Sequence, residues 1–342
     1  MKCRILFSSL IVTVLSLLVA AGCTLPAGAP AAPPAEATPV PKIRIAAVLP
    51  SGIDDLSWNQ SMYEGLMKVQ KELGEDRVEV AISEGLYKIV DAGPAIRDYA
   101  SKGYDIVIAH GSQYQTVIED IASDFPDTTF AYGTGFATQS NVFAYDPQAQ
   151  QGAYLMGLLA AGMTKSKIVG IVGAVQGGDA IKFSEGFKQG VAAGDPDVKV
   201  LEAYTGSFVD FAKAREIALA DIDNGADVLT GTAQQSVGAI KAVAEKPGVY
   251  WLSNDMDQSS LAPNTVLAAQ VYHWEDVIKT IIERRQAGVL GGEHITLDFA
   301  SGRLSLEYNP KLADKIPAEL KAKVAQALED IKSGKIVIEL PK

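Results

Sequence analysis

From residue 43 to residue 270 the chain alternates short apolar runs with longer stretches whose apolar side chains recur at helical spacing. The runs 43–49, 78–82, 105–109, 128–132 and 141–145 read as strands, and 62–73, 92–102 and the stretch ending at Asp124 read as helices. Strand and helix in alternation, joined by short turns, require a parallel sheet covered on both faces. A helix of small and apolar residues follows over 150–163, with Gly152, Ala153, Gly157, Ala160 and Ala161, and reads as a close-packed scaffold. The alternation then restarts, with strands at 167–172, 198–204, 227–230, 249–253 and 266–270 and helices at 181–193, 212–224 and 237–245. Two wound sheets of similar size predict an α/β protein of two doubly wound lobes. A helix over 272–287, strands around 293–298 and 303–307, a charged helix over 317–333 and an extended piece at 336–340 complete the chain.

The formal charge of −11, with no basic cluster, argues against a nucleic-acid partner. Both cysteines, Cys3 and Cys23, precede the folded body, which therefore has no disulfide framework or thiolate metal site. With three histidines, His110, His273 and His294, no His-rich metal site is expected, and no cofactor is assigned. Residues 1–22 read as a secretory signal: Lys2 and Arg4, then an apolar run over 5–21. Its ending, Ala21-Gly22-Cys23, resembles a bacterial lipobox, although Ala20 stands where Leu is usual. The apolar run is short for a span of ~20 residues, and an Ala/Pro-rich tether over 23–41 follows. Lipidation of Cys23 is thus expected over a plain signal peptide or a membrane anchor.

In open parallel sheets, ligands bind beyond the carboxyl ends of the strands. The loop at 50–61 carries Asp54, Asp55, Trp58 and Asn59. It reads equally well as a ligand site, with a ring to stack on and polar groups around it, or as an acidic helix cap with a buried Trp. Other strand tips carry His110, Ser112, Gly133, Gln176 and Gly206, then Phe208, Gly231, Asp255, Asp257 and Gln270. They come from both lobes, as a cleft that closes on a guest requires. No dinucleotide, Walker, nucleophile-elbow, zinc-protease or calcium-loop pattern occurs. The run 173–178 is Gly-rich like a phosphate loop but lacks the following Lys-Ser/Thr. His110 could be a general base, but a polar contact or a structural hydrogen bond is favoured, because no nucleophile accompanies it.

The stretch Gly52-Ile53-Asp54-Asp55-Leu56-Ser57-Trp58-Asn59-Gln60, continuing to Glu64-Gly65, resembles the opening G-x-D-D-x-S-F-N-Q-x-x-x-E-G of the basic membrane protein (PnrA-like) family. These are lipid-anchored substrate-binding proteins of ABC transporters, many of them for purine nucleosides. The resemblance continues through 151–157, 183–191, 204–210, 224–228, 255–258 and 331–336. It implies a type I periplasmic-binding fold with three crossovers, near Asp146, Gln270 and Gly291. Residues 42–146 and 271–291 would form lobe one, and 147–270 and 292–342 lobe two. It also implies ligand contacts from Asp54, Asp55, Trp58 and Asn59, and from Phe183, Gly206, Gly231, Asp255 and Gln270. His110 and Ser112 join them as departures from the family, as does Gln270 where many nucleoside binders have Lys.

The resemblance implies a monomer without enzymatic activity, anchored by lipid on the extracytoplasmic face of the cell membrane. It would take a purine nucleoside or base between Trp58 and Phe183 and deliver it to an ABC permease. A receptor that signals to a membrane kinase, and a nucleoside-processing enzyme using Asp54 and Asp55, are the alternatives.

Overall fold

The computed structural model describes residues 42–341. The signal segment, Cys23 and the tether lie outside the described residues. The first part of the chain runs β1 (Ile43–Val48), α1 (Trp58–Leu73), β2 (Val78–Ser83), α2 (Ile89–Ser101), β3 (Ile106–Ala109), α3 (Gln115–Ala122), β4 (Thr129–Gly133) and β5 (Val142–Pro147). Next come α4 (Ala149–Met163), β6 (Ile168–Gly173), α5 (Gly178–Gly194), β7 (Lys199–Tyr204), α6 (Phe211–Asp223), β8 (Val228–Gly231), α7 (Ser236–Ala244), β9 (Tyr250–Ser253) and β10 (Val266–Tyr272). The chain ends with α8 (Trp274–Gln286), β11 (His294–Leu297), β12 (Leu304–Tyr308) and α9 (Ala318–Lys332).

Among the described residues two six-stranded sheets form, ordered β11-β5-β4-β3-β1-β2 and β12-β10-β9-β8-β6-β7. Every pairing is parallel except β10 with β12. The chain passes between the sheets after β5, after β10 and after β11. The last passage lies beyond Leu297, not near Gly291 as expected. β11 extends the first sheet by pairing with β5, Thr296 level with Asp146, and buries Ile295 and Leu297. The extended piece expected at 336–340 joins neither sheet; its Glu339 bonds Gln189 on α5.

Register brings the functional loops together. Val48 is level with both Ser83 and Ala109, and Ala109 with Tyr132, so the loops after β1 to β4 leave one edge of the first sheet. Gly173 is level with Tyr204, and Val172 with Gly231, so the loops after β6, β7 and β8 share one edge of the second.

Side chains alternate across β1 as the period of two requires. Ile45, Ala47 and Leu49 pack with Met62, Leu66 and Val69 of α1, whereas Ala46 and Val48 pack with Ala92 and Ile96 of α2. Each large side chain buried this way contributes about 1.5–3 kcal/mol. Small residues of α4 and α5 permit backbone contact between the two helices: a Cβ on Gly190 of α5 would collide with the Tyr154 carbonyl, and one on Gly157 of α4 with the Phe187 carbonyl.

Candidate ligand-binding site

A cavity of about 820 Å³ is lined by loops of both sheets, within the size range of small-molecule sites. The first sheet supplies Trp58, Tyr87, His110, Ser112, Gln113 and Thr134 to its wall, and the second supplies Asp179, Gly206, Phe208, Gln234, Asn254 and Asp255. Neither Lys nor Arg is on the wall among the described residues.

Trp58 is the first residue of α1. Its Nε1 donates to the His110 carbonyl at 3.1 Å, and its ring stacks on the His110 imidazole, 4.2 Å between centroids at 11°. Trp274 meets it edge-on at 5.1 Å. These contacts hold the indole rigid. His110 Nε2 lies 3.1 Å from the Trp58 carbonyl, which can only accept, so this nitrogen carries the proton. Nδ1 then accepts from the Tyr145 hydroxyl at 2.8 Å. Burial lowers the pKa of His110 to about 3, so the ring is neutral, and both of its nitrogens are engaged. The geometry therefore matches a structural hydrogen-bonding role for His110 rather than that of a base.

Asp255 follows β9 with φ at 74°, a left-handed conformation that Asp tolerates better than most residues. It is buried and accepts from the Ser57 hydroxyl, which belongs to the loop after β1. Burial pushes its carboxyl up to about 7, against the pull of the Ser57 bond and helped by the charges of Asp55 and Asp179. Two further ties link the sheets' loops. Gln258 Nε2 donates to the Leu56 carbonyl at 2.7 Å, and Lys182 Nζ on α5 pairs with Asp146 on β5 at 2.6 Å.

Of the residues expected in the site, Trp58, His110, Ser112, Gly206 and Asp255 are on the wall, and six are not. Asp55 caps α1: Oδ1 accepts from the Ser57 and Gln60 amides at 3.0 Å each, and Oδ2 from Asn59 Nδ2 at 2.6 Å. Asn59 is buried behind it, and Asp54 is exposed off the wall. The cap half of the two readings thus fits Asp55 and Asn59. Phe183 is wholly buried in the core rather than opposite Trp58, and the second sheet's aromatics on the wall are Phe208 and Phe211. Gly231 packs against the Val172 carbonyl and Trp251, where a Cβ has little room. Gln270 stands behind the wall and donates to Asn254 Oδ1 at 2.9 Å and to the Tyr272 hydroxyl at 2.8 Å. Of these two partners Asn254 is on the wall.

Asp179 was not singled out as a site residue. It reads from sequence as the last residue of a Gly-rich loop, and an acid in a helix's first turn is ordinary. That loop also lines the cavity at Gly177 and Gly178, but an anion there would face two carboxylates and no cation.

The family described as ABC transporter substrate-binding protein, PnrA-like, matches residues 42–340. The chain is 28% identical to the transcriptional activator protein med of Bacillus subtilis over 302 residues, 87% of this chain and 90% of that protein. It is 30% identical to a purine-binding protein of Brucella abortus over 220 residues, 64% of this chain and 62% of that one. It is 27% identical to the ABC transporter nucleoside-binding protein BmpA of Lactococcus lactis over 310 residues, 84% and 86% of the two chains. A solved ABC transporter solute-binding protein from Conexibacter woesei superposes with a TM-score of 0.73 at 25% identity, covering 87% of this chain and 98% of that one. With a family match over nearly all the described residues and a two-sheet fold of the same kind, the chain belongs to the PnrA-like family of ABC transporter substrate-binding proteins.

Proposed function

We propose that the chain binds a purine nucleoside, or the free base, in the cavity between its sheets and delivers it unaltered to an ABC permease. The observation that carries this reading is the make-up of the wall: aromatic side chains from both halves, two buried carboxylates and no cation. A flat base stacks on such rings at about 1–3 kcal/mol each. Carboxylates accept hydrogen bonds from sugar hydroxyls and base N–H groups, and they repel phosphate. The names of the relatives from Brucella and Lactococcus support the ligand class. Secretion through residues 1–22, lipidation at Cys23 and action as a monomer on the extracytoplasmic face belong to the same proposal. The lipobox-like ending and the tether support it.

A sensing role is the second reading, favoured by the relative named as a transcriptional activator. Equilibrium dialysis with guanosine, inosine and adenosine, followed by chromatography of the recovered ligand, tests the proposal. Retention of intact nucleoside is expected. Release of free base at enzymatic rates, or no retention of any of the three, contradicts it. Loss of nucleoside uptake on deletion of the gene separates transport from sensing.

A further inference from the structure

Asp179 occupies the first turn of α5 on the cavity wall. Both carboxylate oxygens are covered, and neither accepts a hydrogen bond from any described residue. The side chain as a whole keeps 17% exposure but its oxygens have almost none, so a guest in the cavity meets them only after the Asp179 side chain turns toward it. Lys182 Nζ lies 3.1 Å from Oδ1 but outside hydrogen-bond geometry. Two of that ammonium's three N–H groups go elsewhere, to Asp146 at 2.6 Å and to the Pro147 carbonyl at 3.3 Å. One cation thus serves two carboxylates, and Asp179 is the less well served. A covered carboxylate whose Oδ1 meets only a poorly aligned ammonium and whose Oδ2 meets no donor is costly, because buried polar atoms in folded proteins almost always have hydrogen-bond partners.

We propose that Asp179 is a specificity-determining residue of the ligand site, accepting hydrogen bonds from two adjacent donors on the guest. The assignment rests on the nucleoside reading above. Nucleosides carry such donor pairs in two places: N1–H with N2–H on the guanine edge, and the 2′,3′-diol of ribose. At the corresponding positions hypoxanthine sets one donor, N1–H, beside a C–H, and adenine sets an acceptor, N1, beside a C–H. A carboxylate accepts only, so it keeps one bond of the two to hypoxanthine and meets repulsion at adenine N1. A site built to accept from a polar group discriminates strongly against an analogue that lacks it.

The test is calorimetric titration of guanosine, inosine and 2′-deoxyguanosine into wild type and Asp179→Asn at pH 8, with thermal unfolding of both unliganded proteins. Asn keeps the shape but replaces one acceptor with a donor. If the base edge is read, Asp179→Asn loses roughly tenfold or more in guanosine affinity and under about threefold for inosine. If the diol is read, guanosine and inosine lose alike, and the wild-type preference for guanosine over 2′-deoxyguanosine collapses in the variant. Either pattern supports the assignment. Lys182 retains Asp146, so the unliganded variant should melt no lower than wild type. A lower melting temperature marks a structural carboxylate and overturns the assignment, with Asp179→Ala as a second check. Equal affinities of wild type and variant for all three ligands, within twofold, also overturn it. Wild type binding none of the three overturns the nucleoside reading itself, and this assignment with it.

Discussion

Among the described residues, three of the five non-glycine positions with left-handed backbone, Thr134, Ala233 and Asp255, are on the cavity wall, and a fourth, Leu56, precedes Ser57 and Trp58 beside it. Such conformations persist where surrounding contacts hold them, and they gather at binding sites. Asp255 combines this backbone with a carboxyl that burial pushes up to about 7 from its ordinary 3.8. Between those values the folded protein keeps a proton that the unfolded chain has lost, so this group's contribution to stability falls as pH rises from about 4 to 7. His110 acts in the opposite sense. Its pKa is lowered from 6.5 to about 3, so its contribution is lost as pH falls from 6.5 toward 3. Asp255→Asn isolates the first effect. Denaturant unfolding should find the variant more stable than wild type at pH 8, by up to about 4 kcal/mol, and nearly equal to it at pH 4. Asp55→Ala behaves differently. It removes the cap of α1 and should cost about 1–2 kcal/mol. The sequence left the role of Asp55 open because a ligand contact and a cap require the same residue type in the same loop. Asp179 was illegible for a related reason: what distinguishes it is a covered carboxylate with no well-aligned donor, and only the packed structure reveals that.

Among the elements, the strand–helix alternation was legible almost throughout, because periods of 2 and 3.6 leave different marks in the sequence. Met62, Leu66 and Val69 are buried as their spacing requires, while Leu73 at the helix end stays 36% exposed. The sheet membership of β11 was not legible. A four-residue run shows that it is a strand, but its partner lies 150 residues upstream, Thr296 beside Asp146. The partner of Trp58 was misjudged for a similar reason. Phe183 lies at a helical position whose burial follows from how α5 sits on α4, which local spacing does not encode. The same helix pair supplies an element-scale prediction. Gly190→Ala places a methyl against the Tyr154 carbonyl, where backbone rather than a flexible side chain must yield. Thermal unfolding should show destabilisation of about 1–3 kcal/mol or more, whereas Gly177→Ala, with open space around its Cβ, should be nearly neutral.

For the whole molecule, the two sheets are bridged at the cavity by Ser57 with Asp255 and by Leu56 with Gln258, and at the first passage by Asp146 with Lys182. A guest gripped between the sheets benefits from every bond that holds them together. Gln258 is not on the wall, so Gln258→Ala should weaken ligand binding without removing a ligand contact. One lost hydrogen bond of about 0.5–1.5 kcal/mol corresponds to a loss of roughly two- to tenfold in affinity. The measurement that bears most directly on the whole account is titration calorimetry of guanosine into wild type and Trp58→Ala. One site per chain in wild type, with affinity lower by roughly tenfold or more in the variant, is the expected result. No heat of binding in wild type, or equal affinity in the two proteins, would contradict the claim that a purine stacks on Trp58 between the two sheets.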